Sequence, residues 1–516
     1  MKPLLKLSLM LVGCFILMMS SIVSPQPGIT SAASSTEPAS DQPSDRGAYN
    51  RKVIPQDNIP LPLSPRIRVR DVVVSNTDPT LINEMVSDTE PSIAIDPTVT
   101  DQIVITAFSG SWGTNAPIWY SGDGGITWTK KFSIPAPPGI ASALGCPCDQ
   151  TVDYGRGSLM FGTFLSFNPF DVYTASTIKP LKPAFWNWPL SGGITQRTNS
   201  YVVGFADQPW TLVNPNPTIP TQDNVYVSYY DFQHLEARVA SAQGANPPSF
   251  SVDSRAGFVG CCVNPGHRLA VNANNGYVYS VFQQYVGVGS GGSANVNYML
   301  NRSTDGGGTW GVNGNPTGIV VGNGDSTQPT PKFGTVNALL GGVDHATVDP
   351  TNGNIYYVYG SRDAVTGNNR LSIARLQDNG AGGVTLLSTN FVTGQVQAAL
   401  PSVAINTNGA IGVLYDTFDG FSGGFPQFTA HFATSTDQGL TFFDSVLETF
   451  LSPALDCCTN PDPACPSDCN KQRILGDYQQ VKAVGVVFNG VFSGSGAPFG
   501  RTIVNMDPIF FRVTLL

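Results

Sequence analysis

The residues best suited to chemistry in this chain recur at one kind of position, just before or at the start of a short apolar run. Glu90 precedes residues 91–95, Asp149 precedes 150–154 and Asp207 precedes 209–213. His267 and Arg268 open a run ending at 271, Asp344 and His345 one ending at 348, and Asp477 and Tyr478 one ending at 481, with Arg473 a few residues upstream. Carboxylates gathered with a few cations shift one another's pKa values and position a polar ligand. Glu90 and Asp207 could serve as acid and base on a glycosidic bond, the separation of their carboxyls deciding the outcome. Tyr478 is a candidate nucleophile, although a tyrosine at a strand start also serves as a packed, hydrogen-bonded ring. Asp149, His267, Arg268, Asp344, His345, Arg473 and Asp477 are candidate ligand-binding groups. The alternative is that all of these satisfy backbone and water where strands crowd together. A calcium ion held by the converging acids is a further expectation; no other cofactor is expected.

The elements that must position these residues also repeat. Each apolar run is followed by a turn built from Asp, Asn, Gly or Pro and then by a second strand rich in aromatics, as in 91–96 leading to 103–108 or 402–405 leading to 411–415. Seven such units follow one another, with first runs beginning near residues 91, 150, 209, 268, 345, 402 and 478. Fifty-five glycines, 40 prolines and only 12% charged residues favour strands and turns over helices.

A second pattern keeps register with the first. Ser121-x-Asp123-x-Gly125-x-Thr127-Trp128, Ser303-x-Asp305-x-Gly307-x-Thr309-Trp310 and Ser435-x-Asp437-x-Gly439-x-Thr441-Phe442 fill the same positions, 182 and 132 residues apart, which is three units and then two. The Asp and Ser oxygens can cap backbone N–H groups of a tight turn, the glycine supplies a positive φ, and the aromatic begins a strand. Two hairpins fit between each unit start and its box, so a unit reads as a four-stranded antiparallel blade with the box between its third and fourth strands. The fold class expected is all-β, a propeller of seven blades with six as the alternative. Residues 66–75 would pair with 509–515 to close the ring.

The box pattern resembles the Asp-box of sialidases and related β-propellers, over nearly all of residues 70–516. The resemblance implies a glycan-recognising protein, and for a true sialidase three arginines, a tyrosine nucleophile assisted by a glutamate, and an aspartate acid/base. The family's aromatic-Arg-Ile-Pro motif is matched only by Pro65-Arg66-Ile67-Arg68, which lacks the aromatic and the proline. Binding with possible hydrolysis of a glycan at one channel mouth is therefore set beside a non-catalytic propeller that binds a protein or cell-surface polymer. In such a propeller the inner strands begin at one mouth and the boxes lie at the other end, as turn stabilisers. Trp112, Trp186, Trp188 and Trp210 could stack on sugar rings or pack in the core.

Residues 1–33 read as an export signal: Lys2 and Lys6, an apolar run over 7–23, and small residues at 31–33. A lipobox-like Leu11-Val12-Gly13-Cys14 offers lipid anchoring through Cys14 as the alternative to secretion. Residues 34–65, rich in Ser, Pro and Asp, read as a solvated tether. Losing the signal removes two lysines and no acid, making the formal charge of −9 more negative still. Nucleic acid, which needs a basic face, is not an expected partner. No later segment is apolar for long enough to span a bilayer, and a monomer is expected. The remaining cysteines, Cys146, Cys148, Cys261, Cys262, Cys457, Cys458, Cys465 and Cys469, are disulfide candidates in an oxidising compartment, with a thiolate metal cluster as the alternative.

Overall fold

The computed structural model describes residues 65–73, 75, 88–108, 112, 116–140, 147–166, 169–260, 266–288, 294–326, 344–362, 368–452, 475–501 and 506–515. The export signal, the tether up to residue 64, Cys14, Arg473 and every disulfide candidate except Cys148 lie outside these residues. Cys148 is disulfide-bonded.

Each repeated unit forms one antiparallel blade. Blade 1 consists of Ser92–Ile95, Ile103–Thr106, Ile118–Ser121 and Thr129–Lys131. Blade 2 has Pro147–Tyr154, Met160–Ser166 and Val172–Thr177, with its fourth position taken by Asn187, which bridges to Ser176. Blade 3 is Ala206–Pro215, Asp223–Asp231, Glu236–Gln243 and Phe250–Phe258. Blade 4 is Arg268–Val271, Val278–Val288, Ala294–Ser303 and Ile319–Ser326. Blade 5 is Asp344–Val348, Ile355–Arg362, Asn369–Asp378 and Val384–Phe391. Blade 6 is Ala398–Ile405, Ile411–Ser422, Phe425–Ser435 and Phe443–Leu451.

Blade 7 closes the ring with strands from both ends of the domain. Gln480–Val484, Val487–Gly494 and Asp507–Thr514 are joined at the outer edge by Arg66–Asp71, with Arg66 opposite Thr514 and Asp71 opposite Ile509. Inner strands of successive blades touch all the way round, and that of blade 7 touches that of blade 1. Seven blades is therefore the count, and six is excluded. Among the described residues no helix is long and apolar enough to cross a membrane.

Apolar clusters fill the spaces between blades. Phe428, Phe432, Leu414 and Phe450 of blade 6, for example, pack with Phe488, Phe492, Ile509 and Phe511 of blade 7. Nearer the axis the blades are stapled by hydrogen bonds. An inner strand has no sheet partner on its channel side, so its buried N–H groups there need acceptors from elsewhere. The neighbouring blade supplies them: Ser92 Oγ accepts from Val152 N (3.1 Å), Thr151 Oγ1 from Thr211 N (3.1 Å), Ser402 Oγ from Val481 N (3.0 Å) and Gln480 Oε1 from Ile93 N (2.8 Å).

The three Ser-x-Asp turns connect third to fourth strands in blades 1, 4 and 6. In each, the Ser Oγ accepts from the N–H of the turn glycine, at 2.9, 2.8 and 3.0 Å. The Asp accepts from both N–H and hydroxyl of Thr127, Thr309 or Thr441. Burial works against ionisation of these carboxyls, yet the donors outweigh it and hold all three pKa values low. Each turn leans on the preceding blade: Gly125 against Phe510, Gly307 against Ser241 and Gly439 near Tyr356. Trp128 is fully buried on Phe510 and Trp310 donates to Ser254 Oγ at 2.8 Å, while Phe442 packs on the cluster between blades 5 and 6. Because strands alternate in direction, these turns lie at the end of the ring opposite the starts of the inner strands.

Candidate functional site

The inner strands begin at the mouth with an unusual backbone. Two residues before the first regularly paired residue of the strand, Glu90, Asp149, Gln208 and Leu400 all adopt positive φ, between 44° and 57°. Blades 2, 3 and 6 carry a register shift at this point. Left-handed conformations in non-glycine residues cost energy and gather at sites that need a particular side-chain aim. Here the side chains of Glu90 and Gln208 both reach Asp477, and that of Asp149 reaches Glu90.

The result is a chain of acids. The Asp149 carboxyl hydrogen-bonds both Glu90 and Asp207. Glu90 Oε1 accepts from Asp477 N (3.1 Å), and Gln208 Nε2 donates to Asp477 Oδ2 (2.5 Å). A hydrogen bond between two carboxyl groups needs a proton on one of them, so the set shares protons. Burial pushes Asp149 up, countered by its bonds to Glu90 and Asp207. Asp207 rises well above the usual range, through burial first and then the charges of Asp149 and Asp477. It is also the member with partial solvent access, whereas Glu90, Asp149 and Asp477 are buried.

Below the acids lies a cation with its charge already engaged. The Arg268 guanidinium sits 4.3 Å from the Trp210 ring centroid and 5.4 Å from that of Tyr478, and Nη1 donates to His267 O (3.1 Å). Burial lowers its pKa, opposed by Asp344, Tyr478, Asp477 and Asp149. Tyr478 packs edge-on to Trp210 and its hydroxyl faces Gln150 O at 3.5 Å. Burial, then the charges of Asp149 and Glu90, push this phenol far above its ordinary pKa, the opposite of what a phenolate nucleophile requires. His345 also lies edge-on to Trp210, and burial takes it down to about 3, as it does His267, which bonds Ser280 Oγ at 2.8 Å. Asp344 accepts from Tyr357 OH (2.8 Å) and Gln283 Nε2 (3.1 Å), and burial carries it up to about 7 against those bonds.

The structure thus brings Glu90, Asp149, Asp207, Asp477, Arg268, Asp344, His345 and Tyr478 together, and turns His267 into the wall of blade 4. Arg66 stands at the far end of the closing strand, away from the mouth. Trp186 and Trp188 are buried in the core beside blade 2, with Trp112 packed against them. Among the described residues no three His, Cys, Asp or Glu side chains are grouped to hold a metal ion.

Sequence reasoning missed the glutamines. Nε2 of Gln150, Gln208, Gln283 and Gln479 is committed to Ala107 O, Asp477, Asp344 and Leu400 O respectively. That fixes each amide's orientation and leaves Oε1 of all four buried without a hydrogen-bond partner, as is His345 Nε2. Gln150, Gln208 and Gln479 adjoin Asp149, Asp207 and Tyr478 in sequence, so adjacency to those residues was the available signal.

No family model and no curated protein matches the chain. Among solved structures it is similar to the polysaccharide lyase Uly1, at 9% identity over 88% of this chain and 100% of that one, with a TM-score of 0.47. It is also similar to an Aleuria aurantia lectin variant in complex with α-methyl-L-fucoside (10% identity, 70% and 97% covered, TM-score 0.38). A third is an endo-arabinase from Bacteroides thetaiotaomicron VPI-5482 (11% identity, 60% and 95% covered, TM-score 0.28). Likeness at this level concerns the fold alone.

Proposed function

We propose that the channel mouth recognises a neutral glycan. The observation that carries this reading is the surplus of acceptors around the inner-strand starts: carboxyls from blades 1, 2, 3 and 7, four buried glutamine oxygens and an imidazole nitrogen, against which the central cation among the described residues, Arg268, is engaged over the Trp210 and Tyr478 rings. Buried acceptors call for donors, and a sugar presents a ring of hydroxyl donors on a rigid frame. An anionic sugar would meet carboxylates instead of an arginine triad, so sialic acid is disfavoured on charge. The exposed ring of Phe205, two residues from Asp207, adds an apolar face of the kind on which sugars stack.

Hydrolysis is the second reading, favoured by the raised pKa of Asp207. A carboxyl kept protonated beside an acid that shares its proton has the makings of a general acid and its partner. A panel of neutral, amino and acidic oligosaccharides, read by calorimetry, tests recognition. Neutral sugars should bind, and Asp207→Asn or Gln208→Leu should weaken them about tenfold or more, about 1.4 kcal/mol. Binding confined to acidic sugars, or none at all, would sink the proposal. Fluorogenic glycosides test the second reading: a fall in kcat in Asp207→Asn at saturating substrate, beyond the weakened binding, supports it.

A further inference from the structure

The exposed aromatic rings are shared unequally between the two ends of the propeller. Among the described residues they are Phe185, Tyr201, Phe205, Phe258, Phe391 and Phe421, and strand register places all but Phe185 at the mouth. Phe258 ends the row Ala206, Asp231, Glu236, Phe258 across blade 3, and Phe391 ends the row Asp344, Tyr359, Ser372, Phe391 across blade 5. Each therefore stands on the outermost strand, level with the start of the inner one. Phe421 lies in the hairpin of blade 6 that runs on past the row beginning at Ala398. Phe205 adjoins Ala206, and Tyr201 lies over Arg238, two residues along from Glu236. At the opposite end the exposed apolar side chains are mainly aliphatic, as at Val99, Ile126, Ile219, Leu440 and Val486.

Two of the mouth rings are backed by guanidinium groups. The guanidinium carbon of Arg238 lies 3.5 Å from the Tyr201 ring centroid, and that of Arg370 lies 3.8 Å from the Phe391 centroid. Arg238 is itself buried and is held by Glu236 (2.8 Å) and Asp253 (3.0 Å), while Asp253 Oδ2 also accepts from Tyr201 N (2.7 Å). Both rings are thus supported on one face, yet Tyr201 remains 55% exposed and Phe391 54%. Apolar side chains scattered on a surface need no such support. A ring held still in water has already lost the freedom that stacking would otherwise remove.

Rim and centre are far apart. Strands of one sheet lie 4.7–4.9 Å apart, so three spacings set Phe258 and Phe391 about 14 Å from the inner-strand starts of their blades. Blades 3 and 6 are three steps apart in the ring of seven, which puts the rings on both sides of the central acids. No single sugar covers that span, whereas a chain of several does, offering hydroxyl donors to the acceptors and apolar ring faces to the aromatics. Resting on the reading of the mouth as a neutral-glycan site, we infer that its ligand is a polysaccharide chain lying across the mouth from blade 3 to blades 5 and 6, stacked on Tyr201, Phe258, Phe391 and Phe421.

The test compares glucan, mannan and galactan, each with its own disaccharide, on the full chain by calorimetry. A polymer should bind at least about tenfold tighter than its disaccharide. Tyr201→Ala and Phe391→Ala should each lower that ratio about three- to tenfold, the effect of one stacked ring. Leu440→Ala, at the opposite end, should leave the ratio unchanged, and Asp207→Asn should weaken polymer and disaccharide alike. Disaccharide binding with no gain from length overturns the inference and leaves the neutral-glycan reading standing, whether or not the ring variants fold. A length gain undiminished in both ring variants, with melting curves showing them folded, also overturns it and leaves the rings to a protein partner. If neither form of any of the three sugars binds, the reading of the mouth fails and this inference with it.

Discussion

Replacing Ser402 by Ala tests whether the blades are held at the axis by the serine and glutamine staples. Ser402 is 0% exposed, and its Oγ accepts the N–H of Val481 at 3.0 Å across the boundary between blades 6 and 7. The substitution removes one oxygen and opens almost no cavity, so packing contributes little. What remains is a buried N–H with no acceptor, which costs about 1–3 kcal/mol, and about 2 kcal/mol is the expected loss. For a domain of about 450 residues with an unfolding entropy of about 2.1 cal/mol/K per residue, that is a fall of about 2 °C in melting temperature. Equilibrium urea unfolding is the sharper assay, with exposed Ser251→Ala as control. Ser92→Ala, at the boundary between blades 1 and 2, should cost a similar amount by orphaning Val152 N, since Gln480 Oε1 keeps the Ile93 N–H. If Ser402→Ala unfolds within about 0.5 kcal/mol of the Ser251→Ala control, the staples are incidental and blade packing alone closes the ring.

The turn glycines separate backbone strain from steric conflict. Gly125 (φ 84°) and Gly439 (φ 80°) share a conformation, but a Cβ at 125 would meet the Phe510 ring at 2.1 Å, whereas at 439 its nearest neighbour is Ile411 at 3.6 Å. Gly439→Ala should therefore cost about 1–2 kcal/mol and Gly125→Ala more, by about 1–3 kcal/mol of overpacking; equal losses in denaturant unfolding would refute this. Asp344 predicts a pH effect: its folded pKa of about 7 lies above the unfolded value, so the native state holds the extra proton and stability should fall as pH rises from about 4 to 7. Asp344→Asn should flatten that slope and gain over the parent above pH 7, and an unchanged slope would show that another group carries it. The histidines act in the opposite sense. With His267 and His345 held near 3, the unfolded chain takes up protons first as pH drops below about 6.5, so His345→Gln should reduce acid sensitivity in melting scans.

Much of the fold was legible because it rests on local rules repeated many times. An apolar run, a Gly or Asn turn and an aromatic strand recur seven times, and the Ser, Asp and Thr side chains of the turns bond within their own few residues, so their geometry follows from spacing. Closure by Arg66–Asp71 was legible too, as an alternating strand left over at one end. The candidate site was legible only as a set of positions. That Glu90, Asp149 and Asp207 begin inner strands followed from the repeat. That they share protons, that Arg268 is stacked on Trp210 and Tyr478, and that four glutamines bury oxygens without hydrogen-bond partners all depend on which side chains meet across blades. The exposed rings at the rim left no trace in the sequence, because only strand register sets Phe258 and Phe391 at the mouth ends of their blades. Sequence determined the architecture, whose signals are periodic and close in the chain. Tertiary structure decided the chemistry, since burial, hydrogen-bond partners and charge are set by neighbours such as Glu90 and Asp477, 387 residues apart.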